Sequence, residues 1–207
     1  MRRVTTAVLA TIAAIFLAPV SAEGLEVLVT VDSSSIAAST GFVDFQFSAA
    51  LDTAQTATAV ISDFSATNLT PGGITYLNSA SGGPLPTNVT ILNDPAQITN
   101  RARQAVTFAA NSNFSFKITF SGNALTTPGS ADSTFFLNVL NSSLGSAFPN
   151  PRPHLLITIP ASGTGTPVIT SISQITAVVV VPEPGPVVLA FAGAAVLVAV
   201  RRRKKAS

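Results

Sequence analysis

The chain has no cysteine, no tryptophan, a single tyrosine and a single histidine among its 207 residues. Without cysteine there are no disulfides, no thiol nucleophile, no thiolate metal site and no cysteine for N-terminal lipid attachment. One histidine cannot build a clustered-histidine zinc site, and it leaves His154 as the sole base for a serine triad. No Gly-x-Ser-x-Gly elbow accompanies it, so it reads as a histidine at the edge of a strand. Glycine-rich nucleotide fingerprints are missing too. Charged residues make up only 10% of the chain, so each one has to be accounted for.

Most of the positive charge sits at the two ends. Arg2, Arg3 and the run Arg201 to Lys205 hold seven of the eleven basic residues. Between residues 23 and 181, four basic residues (Arg101, Arg103, Lys117, Arg152) face eight acidic ones (Glu23, Glu26, Asp32, Asp44, Asp52, Asp63, Asp94, Asp132), a net of −4. The overall charge of +2 therefore describes the ends, and no basic stripe for nucleic acid remains in the body.

The N-terminal end has the three parts of a secretory signal peptide over residues 1–22. Arg2 and Arg3 are the basic start, Val4 to Ala18 the apolar core, and Val20-Ser21-Ala22 the small-residue approach to a cut between Ala22 and Glu23. Such a segment forms a signal helix handled by the Sec translocon and is too short for a stable membrane span.

The C-terminal end is more specific. Pro182-Glu183-Pro184-Gly185-Pro186 cannot continue a helix or a central strand. Val187 to Val200 is wholly apolar, and Arg201, Arg202, Arg203, Lys204 and Lys205 follow. A transmembrane helix over 186–200 spans about 22 Å, short of the ~30 Å of hydrocarbon, so it crosses only with local thinning or with the arginines reaching for headgroups. The terminal charges act as a stop-transfer element, held on the cytoplasmic side.

The Pro182-Glu183-Pro184 motif, short apolar helix and basic end, in that order, resemble the PEP-CTERM sorting signal of exosortase substrates. The resemblance covers residues 182–207 and implies a Gram-negative bacterium, an inner-membrane-anchored precursor and processing by an exosortase at or near the motif. It also implies a mature protein at the cell surface or outside the cell, associated with exopolysaccharide or biofilm.

Residues 23–181 suit one domain with a real core. Phe114, Phe116, Ile118 and Phe120 alternate with Ser115, Lys117, Thr119 and Ser121, and Val43, Phe45 and Phe47 alternate with Asp44, Gln46 and Ser48. This two-residue period marks half-buried strands. Weaker versions run over 25–31, 56–63, 88–92, 104–109, 134–140 and 154–159, with a last strand over 170–181. Turn formers separate them: Pro71-Gly72-Gly73, Ser81-Gly82-Gly83-Pro84, Asn93-Asp94-Pro95, Pro128-Gly129-Ser130 and Pro149-Asn150-Pro151. About nine strands with one apolar face each predict an all-β fold, an antiparallel two-sheet β-sandwich, with a barrel as the alternative.

The remaining polar residues offer little chemistry. Asn93, Asp94 and Asp132 are the loop oxygens a calcium ion would use, but the Asp-x-Asp-x-Asp-Gly spacing is missing, and turn capping accounts for them. Asp44 and Asp52 read as polar-face or turn residues rather than a facing glycosidase pair. Arg101-Ala102-Arg103 reads as a solvated turn. Tyr76 is the one aromatic placed to offer a sugar platform. No cofactor is expected. The whole predicts a non-enzymatic exported surface protein, with a carbohydrate-binding or adhesin module on the envelope as the alternative.

Overall fold

A computed structural model describes residues 24–50, 52–163 and 166–180. The predicted signal segment 1–22, the cut between Ala22 and Glu23, the motif Pro182-Glu183-Pro184, the apolar helix and the stop-transfer residues Arg201 to Lys205 lie outside them. Among the described residues, no helix is long and apolar enough to cross a membrane.

The described body is almost entirely strand. In chain order the strands are β1 (Leu25–Asp32), β2 (Ser39–Ala49), β3 (Thr58–Leu77), β4 (Ala80–Gly82), β5 (Val89–Leu92), β6 (Asn100–Ser121), β7 (Ser133–Asn141), β8 (Leu155–Ile159), β9 (Val168–Ser171) and β10 (Ile175–Val180). One short 3-10 turn covers Asn123–Leu125. Every pairing is antiparallel. The main path runs β4-β5-β3-β6-β2-β7-β8-β9, with β1 also on β6 and β10 on β1. The sheet is not closed into a barrel, which removes the alternative closed form.

β6 organises the molecule. Its first half, Asn100 to Phe108, pairs with Phe47 to Ser39 of β2. Its second half, Asn113 to Phe120, pairs with Asp32 to Leu25 of β1. β3 runs along the opposite edge of both halves, with register shifts at Ser62/Ser65, Thr67/Leu69 and Pro71/Ile74. Left-handed backbone at Asp63 (φ 54), Asn68 (φ 54) and Asn111 (φ 57) accompanies these irregularities. Asp and Asn are the side-chain-bearing residues that tolerate this conformation best, which is why bulges settle on them. The corner of β6 is pinned by two fully buried hydroxyls, Ser33 Oγ and Ser112 Oγ, 2.9 Å apart.

Either side of that corner, β6 sends its even-numbered residues inward. Ala102, Val106 and Phe108 are buried from the first half, and Phe114, Phe116, Ile118 and Phe120 from the second. Val27, Val29 and Val31 of β1, Val43, Phe45 and Phe47 of β2, and Phe135, Leu137 and Val139 of β7 complete the alternation. Phenylalanine edges join the two halves across the core. Phe45 meets Phe116 with centroids 5.4 Å apart and rings at 84°, and Phe47 meets Phe120 at 5.6 Å. Phe120 also packs on Phe135 at 5.8 Å and 82°. Edge-to-face contact is the geometry the ring quadrupoles favour.

Three sequence expectations need correction. Pro71-Gly72-Gly73 is a bulge inside β3 rather than a turn between strands. Buried Gln104 holds it by donating Nε2–H to the carbonyls of Gly72 (2.6 Å) and Gly73 (3.2 Å). The expected strands over 104–109 and 114–121 are one 22-residue strand. The expected last strand over 170–181 is two, β9 and β10, separated by a tight turn in which Ile175 N–H donates to Ile172 O.

Candidate functional site

The strand phase that buries Val43, Phe45 and Phe47 turns Phe42, Asp44 and Gln46 to the opposite face. There the register sets Asp44 between Arg103 of β6 and Asn138 of β7, and Gln46 between Arg101 and Phe136. Asp44 is 1% exposed despite facing outward. It accepts from Arg103 Nε at 2.8 Å and from Gln46 Nε2 at 2.6 Å, with Arg101 Nε at 3.7 Å. The Arg103 guanidinium carbon lies 5.8 Å from the centroid of the Phe42 ring. Arg101-Ala102-Arg103 is therefore not a solvated turn but strand, its two guanidiniums shielding a carboxylate from water. Asp44 lies on the polar face of β2, as its alternation with Val43 and Phe45 predicts, but it is a buried acceptor there.

Beside this cluster lies an open depression of about 400 Å³, lined by Gln46, Phe136, Asn138, Arg152 and Pro153. Asn138 is 7% exposed, and its Oδ1 finds no donor. Arg152 has no carboxylate within ion-pair reach among the described residues. Arg101 and Arg103 thus flank one carboxylate, and Arg152 lines the depression beside it. The body's fourth basic residue, Lys117, is engaged elsewhere, with Asp63 at 3.1 Å and Glu26 at 3.4 Å, which raise its pKa.

His154 lies just before β8 and is fully buried, not at an exposed edge. Its Nδ1 accepts from the backbone N–H of Val139 at 2.9 Å, so the ring proton sits on Nε2. Nε2–H then donates to Ser146 Oγ, 2.8 Å away. Ser146 spends its own proton on the carbonyl of Phe148 (2.7 Å) or Asn150 (2.9 Å). A nucleophilic serine needs a histidine nitrogen free to take its proton, and this arrangement runs the other way. The pair fastens the 146–154 loop to β7.

Burial pushes the His154 pKa below its ordinary 6.5, and the nearby Arg152 charge adds to the effect. Protons then favour the unfolded chain, whose imidazole keeps the ordinary value. The stability contribution is full above pH 6.5 and drains as pH falls towards the folded value. Urea midpoints should drop between pH 7 and pH 5, with a slope of up to about 1.4 kcal/mol per pH unit for this one proton. The drop should flatten in His154→Gln. A wild-type midpoint constant over that range would mean that the imidazole is charged or solvated in the fold.

The loop oxygens considered for calcium have protein partners. Asn93 Oδ1 accepts from Ala57 N–H at 2.6 Å. Asp94 accepts from Ala96 N–H (3.0 Å) and Ser79 Oγ (2.9 Å), and Asp132 from Ala161 N–H (2.7 Å). Among the described residues, no three carboxylates or histidines converge. Asp52 stands exposed in the turn after β2. Tyr76 is 37% exposed, but it pairs with buried Ala102 on the core side of the sheet and donates its hydroxyl to Gly83 O at 3.3 Å. That bond ties the ring to the Gly83 loop.

Sequence reasoning missed Arg152 and Asn138 as neighbours. They lie in a loop and on β7, 14 positions apart, and no spacing rule connects them. The unmatched arginine in a body with four basic residues was the available signal. No family model, curated protein or solved structure matches the chain.

Proposed function

We propose that this chain is an exported, non-enzymatic protein of the bacterial cell surface or extracellular matrix, carried through the Sec translocon, parked in the inner membrane by its tail and processed by an exosortase. The observation that carries this reading is the order Pro182-Glu183-Pro184, apolar 187–200, basic Arg201 to Lys205. Two structural facts support it. The last described strand, β10, ends at Val180, so the motif would follow the body with a one-residue spacer. The one histidine–serine pair is oriented against nucleophilic chemistry. In the same reading, the two halves of the sheet joined by β6 are the layers of a small β-sandwich presented to polysaccharide-rich surroundings.

The structure also fixes where to cut in testing the tail. Val178 to Val180 pair with Leu28, Val27 and Glu26, so a deletion should begin at 181 and leave β10 whole. Deleting 181–207 should abolish membrane-bound precursor and release a folded soluble body. Alanine at Pro182, Glu183 and Pro184 together should leave the precursor in the inner membrane at full C-terminal mass. Intact-mass measurement of the surface form checks both. An unchanged location after the deletion would remove the basis for sorting.

A further inference from the structure

We infer that the depression lined by Gln46, Phe136, Asn138, Arg152 and Pro153 is a binding site for a carboxylated sugar, of the uronic-acid class. The argument starts from what is unsatisfied there. A buried amide oxygen without a donor is costly, and native proteins retain few of them. Asn138 Oδ1 is such an atom, on a side chain that lines the depression. The side chain that carries it lines the depression, which places the amide for hydrogen bonding to a ligand hydroxyl. Gln46 gives its Nε2–H to Asp44, which leaves its Oε1 as a second acceptor beside the first.

Arg152 supplies the opposite chemistry. It is exposed, without an acidic partner among the described residues, and its planar fork matches a carboxylate bidentately. Arg101, 29% exposed and 3.7 Å from Asp44, adds positive potential from the adjoining strand. The face is locally cationic on a body whose net charge is −4. Phe136 and Pro153 provide apolar surface for the C–H face of a ring. Carboxylate, vicinal hydroxyls and an apolar ring face occur together on a uronic acid.

An acidic peptide fits less well. Extended peptides are usually held by main-chain hydrogen bonds to a sheet edge. This site lies on the face of β2 and β7, each of which has a partner strand on either side. Recognition here must come from side chains. The volume, about 400 Å³, falls within the roughly 300–1,000 Å³ usual for small-molecule sites.

The inference stands independently of the sorting reading, because none of the residues that carry it lies in 182–205. Isotope-labelled full-length chain is titrated with trigalacturonate, its methyl ester and triglutamate, following the side-chain amides of Gln46 and Asn138 by NMR. Trigalacturonate should shift those amides and bind at least tenfold more tightly than either competitor, a difference of about 1.4 kcal/mol. Arg152→Ala should weaken binding tenfold or more, Arg152→Lys by less, and Lys117→Ala not at all. Asn138→Ala should weaken it with the amide spectrum otherwise unchanged. Equal binding of the ester overturns the role of the carboxylate, and equal binding of triglutamate overturns the sugar. Shifts confined to other residues, or no binding at about 10 mM, overturn the site itself.

Discussion

Phe45→Ala should cost about 3–5 kcal/mol of folding free energy, the range for deleting a buried aromatic ring. Phe45 is fully buried and touches both halves of the sheet, with Phe116 at 5.4 Å and Phe135 at 6.4 Å. Its loss opens a cavity between the two halves of the sheet, where the backbone on both sides is held by ladders and cannot collapse inward. Domains of this size hold only about 5–15 kcal/mol in total, so the alanine variant sits near the edge of folding. Phe45→Leu keeps most of the volume and should lose about 1–2 kcal/mol, which gives a measurable companion. Phe136→Ala, on the outward phase of β7, should lose less than half of what Phe45→Ala does. A Phe136 loss as large as that of Phe45 in urea denaturation would mean that the strand phase is inverted, since a one-residue slip exchanges the two faces.

Arg103→Leu should destabilise by about 2–4 kcal/mol, because it leaves the Asp44 carboxylate buried with its shortest cationic partner removed. Asp44 is 1% exposed, whereas the side chains of Arg103 and Arg101 are 17% and 29% exposed. Desolvation therefore falls on the acid, and the arginines keep part of their water. The asymmetry predicts a sign. Asp44→Leu should cost less than Arg103→Leu, and Asp44→Leu with Arg103→Leu together should recover most of the single-variant loss. The coupling between the two sites in a double-mutant cycle should exceed about 1.5 kcal/mol. Additive losses, with no recovery in the double variant, would show that water, not Arg103, satisfies Asp44.

Alternation made most of the strands legible. The stretch Phe114 to Ser121 and the triplet Val43, Phe45, Phe47 gave both position and phase, because burial on one face writes a two-residue period into the sequence. What hid the length of β6 was its corner. Ala109 to Ser112 carries no apolar period, since these residues leave the ladder and the one among them that is buried, Ser112, is polar. Pro71-Gly72-Gly73 misled for a related reason. The residues that make a turn also make a bulge, and only the partner strand decides between them. The arginine face was illegible in a different way. Arg101 and Arg103 read as surface charge until the pairing of β2 with β6 brought Asp44 beneath them. Arg152 meets Asn138 only through the loop that His154 and Ser146 fasten down.

The pairing of the first strand with the last sets an order of events. Glu26 lies opposite Val180 and Val31 opposite Ile175, so β1 waits for a partner about 150 positions downstream. A chain emerging from its N-terminus can pair β2, β6 and β7 early, yet β1 keeps one flank open until residues 175–180 arrive. Antiparallel closure also brings residues 24 and 180 to the same end of the body. The two ends of the described body are thus neighbours, and an attachment made at either one would hold the same pole of the molecule.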